Sequence, residues 1–267
     1  MALGTTNAYA RYKSQTDALL DFAVLVSYSM PALRDLIQAA GSRTRSPLPK
    51  PDFFHQSNRS APPDLLKTEK QYEQNLASYV LLAHFSFFES LVDNLIKEMV
   101  EVHGGEEKFA ARIQNRTRRF LIKQSAGALK AKRKLQDKEN PRWRDSYRKH
   151  SRDLDEKGFR FPGELLAAYG VRTLISNLKK RNLKAVHIPE ILVHAFQVEL
   201  SEAEIGKYHE IRDIRNDIAH GNPIVLTMKQ AVTWNATLRD IAFKASSHIA
   251  EHFFVIEKYV PGNPFSA

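Results

Sequence analysis

The chain has 267 residues, 43% of them hydrophobic, and no cysteine. Such a composition supports a buried core rather than a disordered chain, and it excludes disulfides, zinc–thiolate sites and cysteine nucleophiles. The net charge of +10 is concentrated: 15 Lys or Arg stand against three acids between Arg112 and Arg152, +12 in one segment, leaving −2 for the rest.

Taken in chain order, the sequence reads as helical almost throughout. From Thr6 to Ala40, apolar residues recur at three- and four-residue spacing (Leu19, Phe22, Ala23, Val26, Met30, Leu33, Leu36, Ile37), the mark of an amphipathic helix. Pro31 is expected to kink or split it, since proline lacks an amide donor and its ring meets the preceding turn. Gly41 is expected to end it. Pro47, Pro49, Pro51, Pro62 and Pro63 forbid a continuous helix and make 41–64 a Pro-rich surface loop. A long amphipathic helix is expected over about Leu65–His103, closed by Gly104-Gly105. Its apolar face reads as Leu76, Tyr79, Val80, Ala83, Phe87, Phe88, Leu91, Leu95 and Met99. Glu89 stands amid these residues and, where buried, needs a partner.

Residues 106–160 read as a basic helical insertion, helical from Glu106 to Leu135 and broken at Asn140-Pro141. A cluster of one sign is the electrostatic footprint of a polyanion binder. Its candidate RNA contacts are Arg116, Arg118, Arg119, Lys130, Lys132, Arg133, Lys134, Arg142, Trp143, Arg144, Arg148 and Lys149. Trp143 and Tyr147 among arginines suit stacking on unpaired bases, and suit equally the packing of a small helix.

Phe161-Pro162-Gly163 opens a helix over about 164–182, and Pro189 fits the first turn of another running to about Leu200. Ser201 with Glu204 forms a capping box, and Thr227 with Gln230 a second one. The first starts a helix that Gly221-Asn222-Pro223 stops. The second starts a final helix to about Tyr259. There is no alternating strand pattern, internal repeat or Gly-rich phosphate loop, and no apolar run of 18 residues. The N-terminal residues lack the apolar stretch of a signal peptide. The expectation is an all-α fold, a bundle of long helices, in a cytoplasmic protein with no membrane span.

The segment Ile211-Arg212-Asp213-Ile214-Arg215-Asn216-Asp217-Ile218-Ala219-His220, followed by Gly221, carries the chemistry. Residues four apart share a helix face, so Arg212, Asn216 and His220 line one stripe and Arg215 reaches the same edge. His220 falls in the last turn, where the macrodipole favours a cation. Arginine matches phosphate geometry, and histidine moves protons near neutral pH. Together they make a minimal kit for cutting RNA, whose own 2′-OH is the nucleophile. A His before a helix-ending Gly also reads simply as a favourable C-terminal residue. His248 and His252, four apart, have no well-placed acid to complete a metal site, and no metal or other cofactor is expected.

Arg215-Asn216-Asp217-Ile218-Ala219-His220 resembles the Arg-x4-6-His motif of HEPN-domain proteins, with the polar residue typical of that motif directly after the arginine. The following Gly221-Asn222, the preceding Tyr208-x-x-Ile211 and the run Phe85-Ser86-Phe87-Phe88-Glu89-Ser90-Leu91 resemble the same superfamily. The layout is similar to its RiboL-PSP-HEPN-like branch. The resemblance implies one HEPN-like helical domain over 1–267 that works as a homodimer with the motif at the interface. It implies a metal-independent endoribonuclease leaving 2′,3′-cyclic phosphate and 5′-hydroxyl ends. Arg215 would then stabilise the scissile phosphate, His220 act as general acid/base and Asn216 orient the site, with Arg212, Asp217, Glu89 and Tyr208 supporting. Such proteins resemble toxins and antiphage effectors, which need an antitoxin or regulatory partner. A non-catalytic nucleic-acid-binding or protein-interaction module on the same fold is the alternative reading. The basic segment has no counterpart in the resemblance.

Overall fold

The computed structural model describes residues 5–41, 67, 69–109, 111, 184–196 and 198–254. The loop expected at 41–64, the candidate RNA contacts from Arg116 to Lys149, the helix expected at 164–182 and the last turns of the final helix lie outside the described residues. Every regular element among the described residues is helical, as the patterning requires. These are α1 (Asn7–Gly41), α2 (Tyr72–Val102), a short α3 (Ile188–Glu190), α4 (Glu202–Ala219) and α5 (Met228–Phe253). A 3-10 turn, Ala185–His187, precedes α3 and a wide π turn, Ile191–Ala195, follows it.

Three expectations change. Pro31 lies inside α1 without splitting it, so the helix bears a cost of about 3 kcal/mol for the lost amide donor and the ring clash. Lys67 and Glu69 are helical, but a turn at Lys70-Gln71 interrupts the expected helix, and α2 proper begins at Tyr72. Its buried face contains Phe85 and Leu81, whereas Tyr79 is 66% exposed. The helix expected from Pro189 to Leu200 ends at Ala195. There the Phe196 and Val198 amides turn back to the carbonyls of Ile191 (3.1 Å) and Leu192 (2.9 Å), and Val198 to Ser201 have no regular structure.

The chain forms two compact units, residues 1–12, 88–212 and 237–267 in one and 13–87 and 213–236 in the other. In the first, the aromatic rings of Tyr12, Phe88 and Tyr208 pack in series, with centroids 6.3 and 5.7 Å apart. Burial holds the Tyr12 hydroxyl far above the usual tyrosine range. Thr6 caps α1 through the Tyr9 amide (3.1 Å), and the Glu98 carboxylate accepts from the Asn7 and Ala8 amides (2.9 and 2.8 Å). A carboxylate there also complements the helix dipole. The His103 ring hydrogen-bonds the Phe253 carbonyl at 2.6 Å.

In the second unit, Ala23, Ile37, Leu76, Ala77, Val80, Leu81, Phe85, Leu226, Ala231 and Trp234 are buried. Arg34 pairs with Glu69, and Gln74 donates to the Ile224 carbonyl (2.6 Å). α2 is long and apolar enough to cross a bilayer by length and composition, but half of its apolar window is buried inside the fold, as in a core helix.

Candidate functional site

α4 is fixed at both ends by its own sequence. At its start the Ser201 amide donates to the Glu204 carboxylate (2.9 Å) and the Glu204 amide to the Ser201 hydroxyl (3.2 Å). Lys244 donates to the same carboxylate (2.7 Å), and these bonds hold Glu204 below its ordinary range, the Lys244 bond most of all. At its end Gly221 adopts φ +78°, its amide reaches the Ile218 carbonyl (3.0 Å), and the Asn222 amide reaches the Asp217 carbonyl (2.9 Å). That pair of bonds is a Schellman closure, which needs a residue comfortable at positive φ.

The motif occupies this closing segment. Arg215 is half-buried. Its guanidinium carbon lies 5.3 Å from the centre of the Phe85 ring, which is wholly buried. An aromatic face beneath a guanidinium attracts it electrostatically. Arg215 Nη1 donates to Asn216 Oδ1 (3.0 Å). The cation is thus placed by a ring from α2 and an amide from its own helix.

His220 is exposed at the C-cap, and its amide bonds the Asn216 carbonyl (2.9 Å). Its ring makes no hydrogen bond among the described residues. Asn222 Nδ2 donates to Asp217 Oδ1 (2.9 Å), so a side-chain bond doubles the backbone bond between the same two residues. His220 sits inside the loop that this pair closes.

The structure therefore brings Arg215, Asn216, Asp217 and His220 onto one closing turn. The other expected supporting residues belong to the first unit. Arg212 Nη1 donates to His209 Nδ1 (2.9 Å). Tyr208 is buried, and its hydroxyl donates to the Ala185 carbonyl (2.9 Å). Glu89 is half-buried in that same unit. Two contributors had no assigned role in the sequence reading: Phe85 under the guanidinium and Asn222 on Asp217. Phe85 lay in the aromatic run of the resemblance, but nothing in the sequence paired it with Arg215. Asn222 lay beside the helix-stopping glycine, the one local signal that pointed to it. No group of three or more His, Asp or Glu able to hold a metal occurs among the described residues.

A half-buried guanidinium and an exposed imidazole thus stand at one helix end, within a wholly helical set of described elements. The RiboL-PSP-HEPN family model matches residues 52–249, about three quarters of the chain. The chain belongs to that family. No curated protein and no solved structure matches it.

Proposed function

We propose that this protein is a metal-independent endoribonuclease, acting in the cytoplasm as a toxin or defence effector under the control of a regulatory partner. The observation that carries the reading is the placement of Arg215, stacked on Phe85 and bonded to Asn216, at the helix end that presents His220 to solvent. In the proposed reaction the ribose 2′-oxygen attacks the phosphorus and the bond to the 5′-oxygen breaks. The 2′-hydroxyl proton goes to a base, and the leaving 5′-oxygen takes a proton from His220. The products are a 2′,3′-cyclic phosphate and a 5′-hydroxyl, with no water consumed. Charge grows on the phosphoryl oxygens on the way, and Arg215 stabilises it. One imidazole supplies one proton-transfer group where two are needed. A homodimer with facing motifs supplies the second.

One observation favours a second reading, a nucleic-acid-binding module that does not cut: the exposed His220 ring lacks a hydrogen-bonding orienter among the described residues. The two separate on one experiment. Wild-type and His220→Ala protein are incubated in EDTA with end-labelled total RNA and a tRNA pool. Cleavage by the wild type alone, leaving cyclic phosphate ends, is expected, with RNA binding retained in both. Binding without cleavage by either protein would leave the binding module standing.

A further inference from the structure

Within the second unit, α2 lies against the motif segment in a fixed register. Gln74 donates to the Ile224 carbonyl (2.6 Å), and Phe85 lies under the Arg215 guanidinium (5.3 Å). Later residues of α2 thus meet earlier residues of the motif segment, and the two run antiparallel. His220 follows Arg215 by five residues, and its amide still bonds the Asn216 carbonyl, so it keeps the helical course. Tyr79 precedes Phe85 by six residues in α2. At 1.5 Å per residue these steps are about 7.5 and 9 Å in the same direction, so Tyr79 and His220 stand at nearly one level. At about 100° per residue, His220 is turned about 140° from Arg215, and Tyr79 about 120° from Phe85. For antiparallel helices these two rotations lead to the same side of the pair.

Tyr79 is 66% exposed, and neither its ring nor its hydroxyl has a partner among the described residues. The α2 surface around it is uncharged. From Gln74 to Phe87 the helix holds no Asp, Glu, Lys or Arg, and its one histidine, His84, is buried. The Ser78 and Ser86 hydroxyls turn back to the carbonyls of Gln74 (2.8 Å) and Leu82 (2.9 Å). On the motif helix, Asp213 and Asp217 are each turned about 160° from Arg215, away from α2. A chain with 30 acidic residues thus sets an exposed aromatic, and no α2 carboxylate, beside the end of its motif helix.

We propose that Tyr79 is a stacking platform for an unpaired base of the RNA, next to the phosphate held by Arg215. The proposal rests on the ribonuclease reading, which supplies that phosphate. Every base has a π face, and an aromatic side chain in a groove that tracks the backbone takes it whatever the sequence. The absence of α2 carboxylates lets the phosphates on either side approach. With helix axes about 9 Å apart, the Tyr79 and His220 side chains start roughly 13 Å from each other. That is a reach of neighbouring nucleotides and not of one hydrogen bond. Tyr79 therefore positions a base beside the cleaved step and takes no part in proton transfer. Stacking needs a base out of its duplex, so the substrate is single-stranded at this point.

The test is the binding of a short single-stranded RNA, 2′-O-methylated throughout so that it cannot be cut, followed by fluorescence anisotropy. Loss of one stacked base weakens binding at least about fivefold, so Tyr79→Ala should bind about tenfold more weakly. Its helical signal should be unchanged, because the core does not use this ring. Tyr79→Phe and Tyr79→Trp keep a ring and should bind like the wild type. The slope of log affinity against log salt should be the same for all four proteins, since no phosphate contact is lost. A duplex of the same sequence should bind all four alike. Wild-type affinity in Tyr79→Ala, equal weakening by Tyr79→Phe, an equal loss on the duplex, or no binding by the wild type would each overturn the proposal. So would a lower mass of Tyr79→Ala in sedimentation, which would assign the ring to a protein contact. Cleavage of the unmodified RNA by the wild type is scored separately. Tyr79-dependent binding without cleavage would remove the ribonuclease reading and leave a base platform in a binding module. Cleavage with binding indifferent to Tyr79 would remove the platform alone.

Discussion

Asp217 and Asn222 are joined twice, by a backbone bond and a side-chain bond, and His220 lies between them. An exposed side-chain hydrogen bond contributes about 1 kcal/mol, small for the fold but about a fivefold effect if it all enters the barrier. Asn222→Ala should therefore lower the proposed turnover about fivefold with KM unchanged, since neither residue is proposed to bind RNA. The exchanged pair, D217N/N222D, rebuilds the bond with donor and acceptor reversed and should recover most of the loss. Single-turnover cleavage by the three proteins decides it. An exchanged pair no better than Asn222→Ala would show that the bond does not position His220. The same scale shows which partner Arg212 finds on its stripe. Helical spacing put it in line with Asn216 and His220, but His209, three residues earlier, takes its guanidinium. Spacing gives the face a residue occupies and not the bond its side chain finds there.

At the scale of the element, α4 owes its placement to its ends. Gly221 is the critical position because its φ of +78° costs any other L-residue about 1–2 kcal/mol. Gly221→Ala should lower stability by about that amount in urea denaturation, with activity falling as the closing turn frays. Stability unchanged within error would mean that the turn relaxes without strain. α5 carries a different signal. His248 Nε2 donates to the Phe196 carbonyl (2.7 Å), and its ring lies 4.4 Å, ring to ring, from His252. Burial first, and the neighbouring imidazole second, push His248 below the ordinary histidine range. The folded state then binds protons less readily than the unfolded chain, so stability is lost as pH falls through about 6.5, the unfolded value. The loss levels off below the folded-state value. Thermal unfolding from pH 8 to 5 should show this decline, and His248→Gln should make it shallower; parallel curves would remove His248 as a cause. Both capping boxes were legible in the sequence because each is a contact between residues three apart. The buried face of α2 was less so. Apolar residues occupy much of its circumference, and only the neighbouring helices decide that Phe85 goes inside and Tyr79 outside. The Phe85–Arg215 contact was illegible for the same reason: it joins two helices far apart in the sequence.

At the scale of the whole molecule, the charge is segregated. Residues 112–152 hold +12 and all the others sum to −2, so the segment and the motif are expected to divide the work. Phosphate contacts release counterions, and for single strands each neutralised phosphate adds about 0.7 to the slope of log affinity against log salt. The proposed chemistry at Arg215 and His220 depends on placement and not on net charge. R116Q/R118Q/R119Q should therefore weaken RNA binding and flatten the salt slope by about 2, leaving cleavage at saturating RNA close to wild type. His220→Ala should do the reverse, keeping the slope and losing the cleavage. Affinities measured from 50 to 300 mM salt, beside cleavage at saturating RNA, separate the two functions. If the triple variant kept the full slope, the RNA would be held elsewhere on the chain. If it lost cleavage at saturation as well, the basic segment would have to take part in the reaction itself.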